Sequence, residues 1–245
     1  MPEDFSNVYE DAARARAYSG LEFPGTYHLG FRDLPLLLGR YARGTRALDF
    51  GCGAARSTRF LRNLGFDVVG VDISEDMLRE ARRRDPQGDY RLVADGSLAE
   101  FASGTLDVIL AAFTFDNIPS DGKSRVLREL RRLLAPGGCL LLVVSAPAIY
   151  WHEWASFSTR DYPANRSAAD GEPVRIVMLD VPDRRPVVDI LCSDRCYREL
   201  FAAADLAVLD SMQPLATGAE PVRWVSETTV APWTIYVLGP LPTRT

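Results

Sequence analysis

Ala47 to Thr58 reads ALDFGCGAARST. A short apolar run breaks into Gly51-Cys52-Gly53, and a segment with helical spacing follows. A strand, a Gly-x-Gly turn and a helix make the ligand end of a doubly wound parallel sheet. Glycine there lets the backbone turn tightly and approach a bound group. Asp72 stands 19 residues beyond Gly53, at the end of the next apolar run. An acid in that place accepts hydrogen bonds from both ribose hydroxyls of an adenosine. Counted from Gly51, the third position of a dinucleotide loop is Arg56, which does not permit the close packing of a glycine or alanine. The loop therefore fails the dinucleotide pattern, and it carries an acid, Asp49, two residues ahead of its first glycine. Ala54 and Ala55 stand where such a loop often has another glycine. If position 55 needs a positive φ, alanine there costs on the order of 1 kcal/mol.

Outward from this stretch the pattern alternates as far as about Pro147. DVVGVD, YRLVADG, the continuous apolar LDVILAAFTF and CLLLVVSA read as strands. RSTRFLRNLG, SEDMLREARRRD and KSRVLRELRRLL read as the helices between them. Ser74 is an N-cap candidate, and APGG ends the last helix. Strands alternating with helices predict a parallel sheet with right-handed crossovers. Beyond Pro147, VRIVMLDV and PVVDILCS read as two strands joined by a turn, DRCYRELFAAADL as an amphipathic helix, and AVLDSMQPLA and TTVAPWTIYVLGP as an antiparallel pair at the sheet edge. YEDAARARAY is the clearest helix ahead of the first strand.

The 245 residues are 47% hydrophobic, enough for one sizeable core, so one domain with insertions is expected rather than two. A net charge of −5 argues against a nucleic-acid partner, whose phosphates call for a basic face. No run of about 18 apolar residues is present to span a membrane. The charged N-terminus lacks the apolar region of a secretory signal. Four cysteines without a second spaced pair imply neither a zinc site nor a disulfide framework, and a reduced, cytoplasmic setting is expected.

LDFGCGAARS, VVGVDIS, VADG, LDVILAAF and LLAPGGCLLLV, in this order and spacing, resemble the successive motifs of the class I S-adenosylmethionine-dependent methyltransferases. The resemblance implies an α/β fold, a doubly wound, mostly parallel seven-stranded sheet, with N-terminal helices and a lid insertion after the fifth strand. It divides one methyltransferase domain into an N-terminal helical cap (1–44), a cofactor-binding half (45–147), a lid and acceptor insertion (148–192), and a C-terminal helix with edge strands (193–245). It implies S-adenosylmethionine as cofactor and S-adenosylhomocysteine as product. Asp49, Gly51, Cys52 and Gly53 would line the methionine part. Asp72 would bind the ribose, with Ile73 and Met77 at the adenine and Asp95, followed by Gly96, reaching the adenine amino group. Ala112 and Phe113 would border the methionine amine and the sulfonium. Arg14, Arg16 and Tyr18 would close over the cofactor's carboxylate.

Methyl transfer from a sulfonium is an in-line displacement that depends on alignment, with a base needed only if the acceptor must lose a proton. Aromatic and polar residues gather in three stretches that a lid would bring together. EFPGTYHLGF supplies Tyr27 and His28, FTFDNIP supplies Phe115, Asp116 and Asn117, and IYWHEWASF supplies Trp151, His152, Glu153, Trp154 and Phe157. His152 is the first choice of general base, with Glu153 or His28 as substitutes, and the remaining residues are the expected acceptor pocket. No third acid accompanies Asp116 and Asn117, so no metal is expected. The expected function is methyl transfer to oxygen or nitrogen of a small molecule in bacterial secondary metabolism, by a monomer, a homodimer or one member of a hetero-complex. Two alternatives stay open: elimination or cyclisation on the same fold without methyl transfer, and non-catalytic cofactor binding within a complex.

Overall fold

The computed structural model describes Tyr18, residues 20–22, 24–93 and 97–241. Apart from Tyr18, the expected first helix lies outside the described residues, as do Arg14, Arg16, Asp95 and Gly96.

Seven strands form the central sheet in the order β3-β2-β1-β4-β5-β10-β9. They are β1 (Arg46–Phe50), β2 (Asp67–Asp72), β3 (Asp89–Leu92), β4 (Leu106–Ala112), β5 (Leu134–Ser145), β9 (Leu206–Met212) and β10 (Trp233–Pro240). The first five run parallel, and β10 is antiparallel to both β5 and β9. The chain builds outward from β1 to β3, then crosses over to β4. The order therefore reverses between β1 and β4, where Asp49 faces Leu110 in register. A crevice outside the carboxyl ends of the strands opens at such a reversal, and ligands bind there.

The period-2 alternation of the inner strands separates two cores. Val108 and Leu110 of β4 and Leu141 and Val143 of β5 enter one, with the helices Thr26–Arg32 and Leu34–Tyr41 packed over them. Ile109, Ala111, Leu140 and Leu142 enter the other, under the helices Ser120–Leu133 and Asp194–Ala203. Both faces are covered, which is why LDVILAA reads as continuously apolar. Ser74 caps the helix Glu75–Arg84 by accepting from the Met77 N–H at 3.3 Å. β5 begins at Leu134, earlier than CLLLVVSA suggests. Its register slips between Leu106↔Leu134 and Val108↔Cys139, so Ala135–Gly138 bulges within the strand instead of ending the helix as a separate turn.

The segment between β5 and β9 carries a separate three-stranded sheet, β6 (Phe157–Ser158), β7 (Pro173–Met178) and β8 (Val187–Ile190). Its inward residues Phe157, Val174, Ile176, Met178 and Val187 join the core beneath the N-terminal helices. Glu227, fully buried, ties three segments together: it accepts from Thr26 Oγ1 at 2.6 Å, Ala155 N at 2.7 Å and Val225 N at 2.8 Å. Among the described residues no helix is long and apolar enough to cross a membrane.

Candidate active site

The loop after β1 turns through Gly51 at φ 74° and Gly53 at φ 51°. Both values lie where a side chain is strained. A Cβ on Gly51 would also overlap Thr114, whose Oγ1 donates to the Phe50 carbonyl at 3.1 Å and so pins the loop against the end of β4. Ala55 follows at φ 72°, ψ 16°, left-handed and fully buried against Cys52, Leu78, Ala81 and Tyr90. The position does adopt a positive φ, and alanine accepts it. Packing of the methyl group offsets part of the cost.

Asp49 is fully buried. Its Oδ2 accepts from Ser57 Oγ at 2.7 Å and Thr58 Oγ1 at 2.6 Å, and its Oδ1 has no partner. Burial pushes its carboxyl up to about 6, against the pull of the two hydroxyls. Asp72 accepts from Gly53 N on Oδ2 at 2.8 Å and from Ser74 N on Oδ1 at 2.9 Å. It therefore braces the loop and the next helix start at once. Burial raises it, and the backbone donors oppose that rise.

A cavity of about 1040 Å³ opens above this loop. Gly51, Cys52, Gly53, Asp72, Ile73, Met77, Ala112 and Phe113 all line it, as do Leu92 and Val93. Arg56 faces it as well, with its guanidinium 4.8 Å from the Tyr27 ring centre and 5.7 Å from that of Phe113. Phe113 itself holds a left-handed φ of 60°. A bulky side chain in that conformation is uncommon, and such strain gathers at ligand sites.

Residues 48–142, from within β1 to within β5, match the family model described as a methyltransferase domain. That segment contains the loop, both aspartates and the strand ends that form the crevice. This segment is a methyltransferase domain of the class I S-adenosylmethionine-dependent kind. A demethylmenaquinone methyltransferase of Renibacterium salmoninarum is 28% identical over 169 residues, covering 64% of this chain and 70% of that protein. A ubiquinone biosynthesis O-methyltransferase of Xanthomonas oryzae pv. oryzae is 30% identical over 103 residues, and the chain spans only 42% of its length. Among solved structures, the CcbJ methyltransferase from Streptomyces caelestis superposes with a TM-score of 0.60 at 18% identity, covering 86% of this chain and 95% of that one. A DhpI–SAH complex superposes with a TM-score of 0.58 at 19% identity, over 96% of this chain and 94% of that one.

The cofactor of this methyltransferase is S-adenosylmethionine, and the residues present fit it. The unpartnered Asp49 Oδ1 is a buried acceptor with no donor from the protein. Asp72 lines the cavity, and its two oxygens, held by backbone N–H groups of Gly53, Ile73 and Ser74, offer more acceptor sites than those donors fill. Ile73, Met77, Leu92 and Val93 provide apolar wall on the side of the cavity reached from β2 and β3. Among the described residues no group of three His, Cys, Asp or Glu is placed to hold a metal ion.

The expected acceptor residues separate. A second, smaller chamber of about 50 Å³ adjoins the large cavity, and Tyr18, Tyr27, Phe113 and Asn117 line both. Asp116 and Phe157 line the chamber. Each of the three sequence clusters thus sends at least one residue to it. Phe115 does not reach either space; fully buried, it packs on Phe50 in the opposite core. Trp154 is buried, donating to the Ile149 carbonyl at 2.8 Å, and Trp151 donates to the Asn165 carbonyl at 3.2 Å. Neither lines the cavities. His28, His152 and Glu153, expected as bases, line neither space. Glu153 is spent on its own turn, accepting from Ser158 Oγ at 2.7 Å and Thr159 N at 2.8 Å. The His152 ring meets the edge of Trp154 at 6.0 Å.

One acid in the chamber wall escaped the sequence reading. Asp189, on β8, is buried, accepts from Asn117 Nδ2 at 2.6 Å and Tyr150 OH at 2.9 Å, and lies with Asp116 in the same wall. A signal for it existed: in PVVDIL, Asp189 takes the inward parity of Val187, and an acid on the buried face of a two-residue period is out of place.

Proposed function

We propose that this methyltransferase moves a methyl group from S-adenosylmethionine to an oxygen or nitrogen of a small molecule held where the large cavity meets the chamber beyond Phe113. The size of the large cavity carries this reading. At about 1040 Å³ it stands at the top of the roughly 300–1,000 Å³ range of small-molecule pockets, and it continues into the chamber, so a cofactor and part of a small acceptor can share the two spaces. The helix Thr26–Arg32 and the insertion wall off the acceptor side, which suits a small substrate better than a macromolecule. The names of relatives, which include quinone-pathway and O-methyltransferases, also support a small acceptor.

In this reading Asp72 holds the ribose, Gly51, Cys52 and Gly53 border the methionine end, and Ile73 and Met77 flank the adenine. Asp49, expected at the methionine end, is fully buried, does not line the cavity, and supports the loop from behind through Ser57 and Thr58. Ala112 and Phe113 border the sulfonium. Asp95 and Gly96 remain assigned to the adenine amino group by family likeness alone. When bound, the cofactor supplies an electrophilic methyl group on a sulfonium. The chain's own work is alignment: the braced loop fixes one partner, and the chamber orients the other. The faces of Tyr27 and Phe113 favour positive charge nearby. We read residues 1–245 as one functional unit with the insertion 148–192 as the acceptor-side wall. We place it in cytoplasmic small-molecule biosynthesis, of the bacterial secondary-metabolite kind.

The test is incubation with methyl-labelled S-adenosylmethionine and a cell extract fractionated by size. Label is expected in the small-molecule fraction. Label confined to protein or nucleic acid, or cofactor binding without any transfer, would overturn the reading.

A further inference from the structure

The chamber beyond Phe113 has a composition that selects for charge. Its apolar walls include the rings of Tyr27, Phe113, Phe157 and Trp233, packed on one another with centroid separations between 4.6 and 5.8 Å. Its polar wall includes two carboxylates that are both buried, Asp116 and Asp189. Asp116 accepts from Ser145 N at 3.0 Å and Ser145 Oγ at 3.0 Å. Asp189 accepts from Asn117 and Tyr150. All four donor groups are neutral.

The cation that acts on both acids is Lys123, fully buried, whose Nζ donates to the Ile118 carbonyl at 2.6 Å. With both carboxyls ionised, two carboxylates stand against one ammonium, itself disfavoured by burial, and the chamber is one positive charge short. Burial and the neighbouring Asp116 charge push Asp189 up to about 7, the response expected of such a deficit. The Arg56 guanidinium lies over Tyr27 and Phe113 and lines the large cavity, and it is absent from the chamber wall.

An occupant that restores the balance carries one positive charge, N–H donors for the carboxylates and a surface that aromatic faces attract. A hydroxyl satisfies the acceptors but leaves the charge to be met by a proton on Asp189. A carboxylate adds to the repulsion.

We propose that this chamber is the acceptor-recognition subsite, that it takes a protonated amino group carried by the acceptor, and that Asp189 is the contact that determines this specificity. The proposal rests on the reading of a small-molecule acceptor above. The amino group is a handle. As an ammonium it has no lone pair to attack a methyl group, so another atom of the acceptor takes the methyl. The chamber's small volume suits this division: the ammonium end enters, and the body of the molecule stays in the large cavity beside the cofactor.

Three ring-bearing probes that differ in charge test it at neutral pH: benzylammonium, benzyl alcohol and benzoate. Each is titrated at up to millimolar concentration, by calorimetry or ligand-observed NMR, into the full chain saturated with S-adenosylhomocysteine. Benzylammonium is expected to bind about tenfold or more tightly than either of the others, as a charge-assisted contact predicts. Asp189→Asn should remove about that factor for benzylammonium while leaving benzyl alcohol unchanged. Equal or tighter binding of the alcohol or benzoate, no binding of any probe, or an unchanged benzylammonium affinity in Asp189→Asn would each overturn the proposal.

S-adenosylhomocysteine affinity is measured alongside. Its absence in the unsubstituted protein refutes the cofactor assignment instead. Its loss only in Asp189→Asn marks a folding defect, in which case Asp116→Asn is read by the same criteria. The ranking of the three probes on the unsubstituted protein decides without either variant.

Discussion

Replacing Ala55 by glycine separates backbone strain from packing at the cofactor loop. Ala55 and Ala81 are both fully buried in the same small cluster, but Ala81 lies inside the helix Glu75–Arg84 and Ala55 has φ 72°. Each loses one buried methyl on truncation, worth about 0.8 kcal/mol. At Ala81 the glycine also weakens a helix interior by about 1 kcal/mol, so Ala81→Gly should destabilise by roughly 1.8 kcal/mol. At Ala55 the left-handed backbone costs alanine roughly 1–2 kcal/mol, which glycine relieves. Added freedom of the unfolded chain takes back about 0.4–1 kcal/mol of that relief. Ala55→Gly should therefore stay within about 1 kcal/mol of the unsubstituted protein, in either direction. Urea unfolding of the three proteins under one condition reads the difference directly. If Ala55→Gly is destabilised as much as Ala81→Gly, no strain resides at position 55 and the loop does not hold the observed conformation in solution.

Other outcomes follow from the same geometry. Asp72→Ala should weaken S-adenosylhomocysteine binding by about 1–3 kcal/mol in calorimetry, since both carboxylate oxygens and the loop they brace are lost; an unchanged affinity refutes the ribose assignment. Glu227→Ala strands three donors from three segments, the Thr26 hydroxyl and the amides of Ala155 and Val225. It should cost at least about 2 kcal/mol, seen as a lower thermal midpoint. Asp49 carries a folded value of about 6 against an ordinary 3.8. A carboxyl raised on folding favours the native state at low pH, with the benefit complete below the unfolded value and lost as pH climbs through the folded one. The stability of Asp49→Asn relative to the unsubstituted protein should therefore improve from pH 4 to pH 8 by an amount on the order of 2–3 kcal/mol, and a flat difference would contradict the raised value.

Much of the cofactor half was legible because its signals are local. A strand, a glycine turn and a helix fall within Ala47–Asn63, and Ser74 announces a helix start by its type and place. Asp72 was found by spacing, and its second job of bracing Gly53 and Ser74 was not. The Ser57 and Thr58 contacts with Asp49 went unnoticed, although two hydroxyls in the first turn after the loop are within reach of the strand end they follow.

The acceptor side was less legible, and its failures share a cause. Residue type drew attention to His28, His152 and Glu153, but what a side chain does depends on which space it borders, and these three border neither cavity. Trp154 and Phe115 were read as pocket aromatics and serve as core.

The sequence by itself determined the alternating strands and helices, the turn that receives the cofactor and the exclusion of a dinucleotide by Arg56. Each is written in neighbouring residues whose backbone preferences and periodicity act over a few positions. Only the tertiary structure decided the chamber. Asp189 comes to Asn117 from 72 residues away, carried by a strand of the small sheet that has no pairing partner in the main one. The alternation of PVVDIL marks Asp189 as inward, but its placement beside Asp116, and so its demand for positive charge, arises from long-range packing.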